Sequence, residues 1–202
     1  MLNTLSNFIM KIYLNKIIAT ALFILACSNW MAAQESKLIL GESKVKVFGT
    51  SNVHDWHIDG KMMSGKGFFI LADGALKSIE SLTFIVESEQ LKSGNSIMDN
   101  NTNKALLTNK FKSINYKLTS VSRITLLSEN NYSVVTEGDL MVAGTTKKIT
   151  QLFNLKIKDK KVTIQGKTKL NMTTYNVDPP TALMGTIKTG EEVVVNFKAT
   201  YN

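Results

Sequence analysis

Ser81-Leu82-Thr83-Phe84-Ile85-Val86-Glu87 sets apolar Leu82, Phe84 and Val86 against polar Ser81, Thr83 and Glu87. A period of two places the first set on one face of an extended strand and the second on the other, a spacing that no single helix face collects. The parity recurs along the chain. Val45 and Val47 alternate with Lys44 and Lys46; Ile114, Tyr116 and Leu118 with Ser113, Asn115 and Lys117; Phe153, Leu155 and Ile157 with Asn154, Lys156 and Lys158. Leu140 and Val142 follow Val134 in phase, and near the C-terminus Val193, Val195 and Phe197 oppose Asn196 and Lys198. Each such strand has one apolar and one wet face.

Turn-forming residues separate the runs: Asp73-Gly74, Glu129-Asn130-Asn131, Ala143-Gly144, Lys158 to Lys161 and Thr189-Gly190. Short connections join antiparallel neighbours, and one-sided strands must stack as a sandwich or close as a barrel to remove the apolar face from water. Local pattern does not choose between the two. Ser96 to Leu107 breaks the alternation: Asn95 and Ser96 are cap residues, and Met98, Thr102, Ala105 and Leu106 share a helical face. One amphipathic helix inserted in an antiparallel β chain is most simply a lid over one end. Thr173 to Ile187, with Asp178-Pro179-Pro180 and Gly185, reads as a long loop.

The chain has 202 residues, room for one sizeable core. Its beginning has another character. Lys11 and Lys16 precede an apolar run from Ile17 to Ala26, and no acidic residue occurs before Glu35. The run is short of the ~20 residues that span a bilayer as a helix, so 1–33 reads as a signal peptide cleaved after Ala33, leaving a domain over 34–202 in the periplasm or outside the cell. A second reading takes Ile24-Leu25-Ala26-Cys27 as a lipobox and anchors the protein through Cys27.

Cys27 is the single cysteine, so the domain beyond Ala33 has no thiol catalysis, disulfide or thiolate-bound metal. Removing Lys11 and Lys16 lowers the formal charge of +8 by two, and the remaining lysines are scattered along strands, the pattern of a solvated sheet face rather than a nucleic-acid site. His54-Asp55-Trp56-His57-Ile58-Asp59 contains both histidines of the chain. In a strand His54 and His57 point oppositely, so a metal would need a ligand from elsewhere, and no third histidine exists. The reading is therefore no metal and no cofactor, with Trp56 packed inward. No Gly-x-Ser-x-Gly elbow is present and the carboxylates sit singly in polar phases, which argues against an enzyme.

The ordered motifs resemble those of the YceI-like family, exported lipocalin-like polyisoprenoid-binding domains. The resemblance runs from Phe48-Gly49-Thr50-Ser51-Asn52-Val53-His54-Asp55-Trp56 through Leu91 to Asp99 and Phe111-Lys112-Ser113-Ile114. It continues over Gly138 to Lys147 and Met172 to Pro180, and closes on Gly185-Thr186-Ile187-Lys188. Lys112 stands where many relatives carry a proline. The resemblance implies an all-β, antiparallel lipocalin-like β-barrel with one inserted amphipathic helix, holding an isoprenoid lipid or quinone-like apolar ligand without catalysis.

On strand parity the wall of such a tunnel is Val45, Val47, Trp56, Leu82, Phe84, Val86, Ile114, Tyr116, Leu118, Leu140, Val142, Phe153 and Leu155, gated by Met98 and Leu106. The residues leave open a filled interior, which would make the domain an envelope interaction module, and they leave open a homodimer.

Overall fold

The alternating segments form twelve strands in the computed structural model, which describes residues 35–182 and 184–202. The expected signal peptide and the Cys27 anchor lie outside the described residues. The strands are β1 (Glu35–Lys37), β2 (Lys44–Ser51), β3 (Trp56–Gly60), β4 (Met63–Ala72), β5 (Ala75–Glu87), β6 (Leu91–Lys92), β7 (Ser113–Ser128), β8 (Asn131–Val142), β9 (Thr145–Lys158), β10 (Lys161–Asn171), β11 (Thr181–Ala182) and β12 (Ile187–Tyr201), with helix α1 (Ser96–Ala105) between β6 and β7. The sheet runs β1-β4-β5-β7-β8-β9-β10-β12-β2-β3-β6, with β11 paired to β12.

Tight turns set the local order. Asp73-Gly74 and Ala143-Gly144 both adopt two successive positive φ values, the conformation whose twist matches an antiparallel hairpin. Thr189-Gly190, expected as a turn, instead lies inside β12, where the register against β2 slips between Thr189 and Val193. The glycine there marks a bulge, the other use of glycine among strand residues.

Closure of the barrel comes from two short pieces at the ends of the sheet. After β5 the chain turns through Ser88–Gln90 into β6, which pairs with β3 at Asp59↔Lys92 and Gly60↔Leu91. The chain leaving β5, the third strand of the path, thus supplies its last strand. At the other extremity Leu38, just after β1, bridges Tyr201 of β12, and Lys37 exchanges backbone hydrogen bonds with Asn202 at 2.8 and 3.1 Å. The sheet is therefore a lipocalin-like antiparallel barrel, as expected.

The helix forms where the alternation fails. Asn95 Oδ1 accepts from the amides of Ile97 at 2.9 Å and Met98 at 3.1 Å, satisfying two orphan donors of its first turn. It ends two residues earlier than expected, because Leu107 is left-handed (φ 50°) and its carbonyl receives the amides of Lys110 and Phe111. The expected loop after β10 is partly ordered: a 3₁₀ turn spans Met172–Tyr175, and Thr181 and Ala182 pair with Lys188 and Ile187.

One end of the barrel is filled. Phe69, Leu76, Ile79, Tyr132, Val134, Leu155, Ile157 and Val162 belong to one packed cluster in which Val134 and Leu155 are wholly buried. Tyr132 keeps its hydroxyl satisfied there by accepting from the Leu76 amide at 3.0 Å. The opposite end carries α1 and the 172–182 segment and is not filled.

Candidate functional site

A cavity of about 540 Å³ occupies the barrel between the packed end and α1. That is within the range of small-molecule sites. From β2 and β3 come Val45, Val47 and Trp56; from β5, Leu82, Phe84 and Val86; from β7, Ile114 and Tyr116; from β8 and β9, Leu140, Val142 and Phe153. Met98 of α1 and Leu106, just past its last residue, close it. Two of the expected wall residues are elsewhere. Leu155 is wholly buried in the packed end and Leu118 packs against that same cluster, so neither lines the cavity. Parity sets which face a residue occupies, not how deep along the barrel it sits.

Sequence reading missed one wall and one cover. Leu170 of β10 and Val193, Val195 and Phe197 of β12 also line the cavity; the β12 residues show the same alternation and were legible as inward. Tyr175 and Val177, in the segment expected as a loop, are buried against Leu140, Ile149 and Leu170. No periodicity marks such residues, since a 3₁₀ turn and the left-handed Asn176 (φ 56°) orient them.

Two glycines shape the wall. A Cβ on Gly49 would overlap the indole of Trp56, its cross-strand partner, and one on Gly138 would overlap the ring of Tyr116. Bare backbone lets each aromatic ring lie flat on the inner surface instead of projecting across the lumen. Trp56 finishes the arrangement by donating Nε1–H to the Thr50 carbonyl at 2.9 Å. His54 sits at the mouth with Nδ1 2.8 Å from the Asp55 carbonyl, which only accepts, whereas the His57 ring lies 6.2 Å from Phe48 outside the cavity. Among the described residues no group of three or more His, Cys, Asp or Glu is placed to hold a metal ion.

The lining is mostly apolar, and its polar side chains beyond Tyr175, Thr181, Thr189 and Tyr201 fall at two levels. Ser51, His54, Asn95, Asn101 and Thr102 lie toward the helix end, and Tyr116, Gln151 and Thr168 form a belt deeper in. Tyr116 is linked to Thr136 at 2.9 Å, and Thr136 donates to the Gln151 carbonyl at 3.2 Å. Burial pushes the Tyr116 hydroxyl up from its ordinary range, so it stays protonated. No Asp, Glu, Lys or Arg is among the described lining residues.

The lid is tied down by its own hydrogen bonds. Asp99 Oδ1 accepts from the Ser93 hydroxyl at 2.6 Å and the Ser93 amide at 2.7 Å, closing a ring at the start of α1. Those two bonds hold the Asp99 carboxyl below the usual carboxylate range. Among the described residues no helix is long and apolar enough to cross a membrane.

Comparison with solved structures identifies the architecture. The chain is similar to BcnA of Burkholderia cenocepacia, with a TM-score of 0.63 at 15% identity over 81% of this chain and 98% of that one. A polyisoprenoid binding domain from Saccharophagus degradans matches with a TM-score of 0.62 at 11% identity, over 84% and 98% of the two chains. The Campylobacter jejuni YceI protein matches at 0.51 and 14% identity, over 71% and 82%. No curated protein matches the sequence. The model of the YceI-like domain matches residues 39–201, the barrel from β2 to β12 with its lid, and the chain therefore belongs to the YceI-like family.

Proposed function

We propose that the protein is an exported, non-catalytic lipid carrier that holds an isoprenoid or similar apolar chain inside the barrel, with the residues of β2, β3, β5, β7, β8 and β9 named above as its wall and Met98 and Leu106 as its gate. The observation that carries this reading is the cavity of about 540 Å³ whose walls bear no charged side chain among the described residues. Transfer of an apolar chain into such a space gains about 25 cal/mol per Å² of area removed from water, with no catalytic group required. The polyisoprenoid binding described for the Saccharophagus degradans domain supports the same ligand class for this chain. The signal-peptide character of residues 1–33 supports release to the periplasm or the exterior.

Native mass spectrometry of the purified mature protein, followed by organic extraction, tests the proposal. A stoichiometric isoprenoid species is expected. Protein that carries no lipid and takes none up from vesicles containing isoprenoid lipid would refute it.

A further inference from the structure

The lysines of β9 and β12 are scattered along the sequence, but strand register gathers them on the outside of the barrel. Lys156 and Lys158 alternate with the buried Leu155 and Ile157, so both point outward from β9. Lys198 points outward from β12, opposite Lys44 of β2 on one side and Gln165 of β10 on the other. Gln165 in turn faces Asn154, and Thr163 faces Lys156. The lysines of β9 and β12 therefore stand on either side of β10, roughly 10 Å apart at two strand spacings.

Between them is a groove of about 490 Å³ on the outside of the packed end. Asn154, Thr163 and Gln165 line it together with Lys156, Lys158 and Lys198, and no Asp or Glu is among its described lining residues. Lys66, Lys112 and Lys148 elsewhere on the barrel are paired with Glu35, Glu89 and Asp139. The groove lysines and Lys44 make no ion pair among the described residues. Nearby, Glu42 is taken by Lys161, and Glu129 and Asp159 sit in the two adjoining hairpin turns without lining the groove. Lys44 and Lys198 are moreover direct cross-strand partners, and like charges so placed destabilise a sheet. An anion lying over them relieves that repulsion.

The rim of the groove is apolar. Leu126 and Leu127 are 63% and 59% exposed, and Leu127 lines the groove. The register between β7 and β8 slips between Leu126 and Ser128, which leaves Leu127 as the extra residue of a bulge, turned out of the ladder. A soluble anion would leave both leucines in water. A bilayer surface takes up both halves of the pattern, with apolar side chains among the headgroups and ammonium groups at the phosphates.

We propose that this face docks the barrel on a bilayer carrying anionic lipid, the groove lysines against headgroup phosphates and Leu126 and Leu127 inserted beside them. The packed end then faces the membrane, and the lid at the opposite end faces water. The assignment does not depend on what the lumen holds.

Flotation of the purified mature protein with vesicles of phosphatidylcholine, alone or with about one third phosphatidylglycerol, tests it at low salt and at about 0.5 M NaCl. Binding is expected only with the anionic vesicles, and salt should weaken it. A lysine at such a surface is worth about fivefold in partitioning, so Lys156→Gln, Lys158→Gln and Lys198→Gln together should lose about a hundredfold. The same charge removed by Lys66→Gln, Lys112→Gln and Lys148→Gln should cost less than about fivefold. Leu126→Ser with Leu127→Ser should lose roughly tenfold, whereas Val53→Ser, an equally exposed apolar position at the mouth, should change nothing. Every substituted side chain is exposed, and an unshifted thermal transition shows that each variant is folded. No binding to anionic vesicles, equal losses from the two lysine triples, or a greater loss from Val53→Ser than from the leucine pair would overturn the assignment. Binding of inorganic polyphosphate through the three groove lysines, without binding of vesicles, would overturn it in favour of a soluble anion.

Discussion

Adding a single methyl group at Gly138 should destabilise the barrel through one ring, and the size of the effect can be worked from the wall. A Cβ there overlaps Cε2, Cζ and the hydroxyl oxygen of Tyr116, which cannot withdraw without giving up its bond to Thr136. Forcing extra volume into a packed contact costs about 1–3 kcal/mol, and loss of one neutral hydrogen bond about 1 kcal/mol more. Alanine recovers roughly 0.5–1 kcal/mol over glycine in a strand interior through backbone entropy. Gly138→Ala is thus expected to cost about 1–3 kcal/mol. In a Tyr116→Ala background the overlap is gone, and the same substitution should be neutral or stabilising by up to roughly 1 kcal/mol. The coupling energy, about 2–4 kcal/mol, is measured by a double-mutant cycle from urea unfolding followed by far-ultraviolet circular dichroism. The native ring, once displaced, enters the lumen, so Gly138→Ala should also weaken uptake of an apolar chain. Equal cost of Gly138→Ala in both backgrounds, within ~0.5 kcal/mol, would refute the account of the glycine as the bed of the tyrosine ring.

The packed and hollow ends should separate in mutagenesis. Leu155→Ala empties a wholly buried position and is expected to cost about 2–5 kcal/mol in urea unfolding, while the folded variant keeps its lipid stoichiometry in native mass spectrometry. Leu140→Asp or Phe84→Asp places a charge on the cavity wall, and extraction of either folded variant should recover no lipid; unchanged loading would remove that residue from the wall. The lid should also respond to acid. Because the folded-state pKa of Asp99 is depressed by its bonds to Ser93, its contribution to docking α1 is fully present above the ordinary carboxyl pKa of about 3.9 and is lost as pH falls through the lower folded value. Amide exchange in α1 should accelerate over that acidic window in the native protein, and Asp99→Asn should exchange fast already at neutral pH; a lid as protected in the variant as in the native chain would show that the ring does not hold it.

Much of this architecture is local. Alternation at Leu82-Phe84-Val86 or Phe153-Leu155-Ile157 assigns faces because neighbouring Cβ atoms point oppositely in any extended chain, whatever the partner strand. Asn95 marks the start of α1 for the same reason: a cap acts over three residues. The ordered motifs from Phe48 to Lys188 carried the family resemblance, and with it the barrel.

What the tertiary structure decided is depth and emptiness. Phe153 and Leu155 have identical parity, yet one lines the cavity and the other is sealed in the packed end, because depth depends on register and strand tilt set by partners far away in sequence. Thr189-Gly190 reads as a turn in one dimension and becomes a bulge only because β12 continues along β2 beyond it. Tyr175 and Val177 reach the cavity from a segment with no period at all. Whether the interior is filled depends on where rings such as Tyr116 and Trp56 lie, and that is fixed by glycines on the paired neighbouring strand, Gly138 and Gly49, at contacts that exist only once the strands have paired.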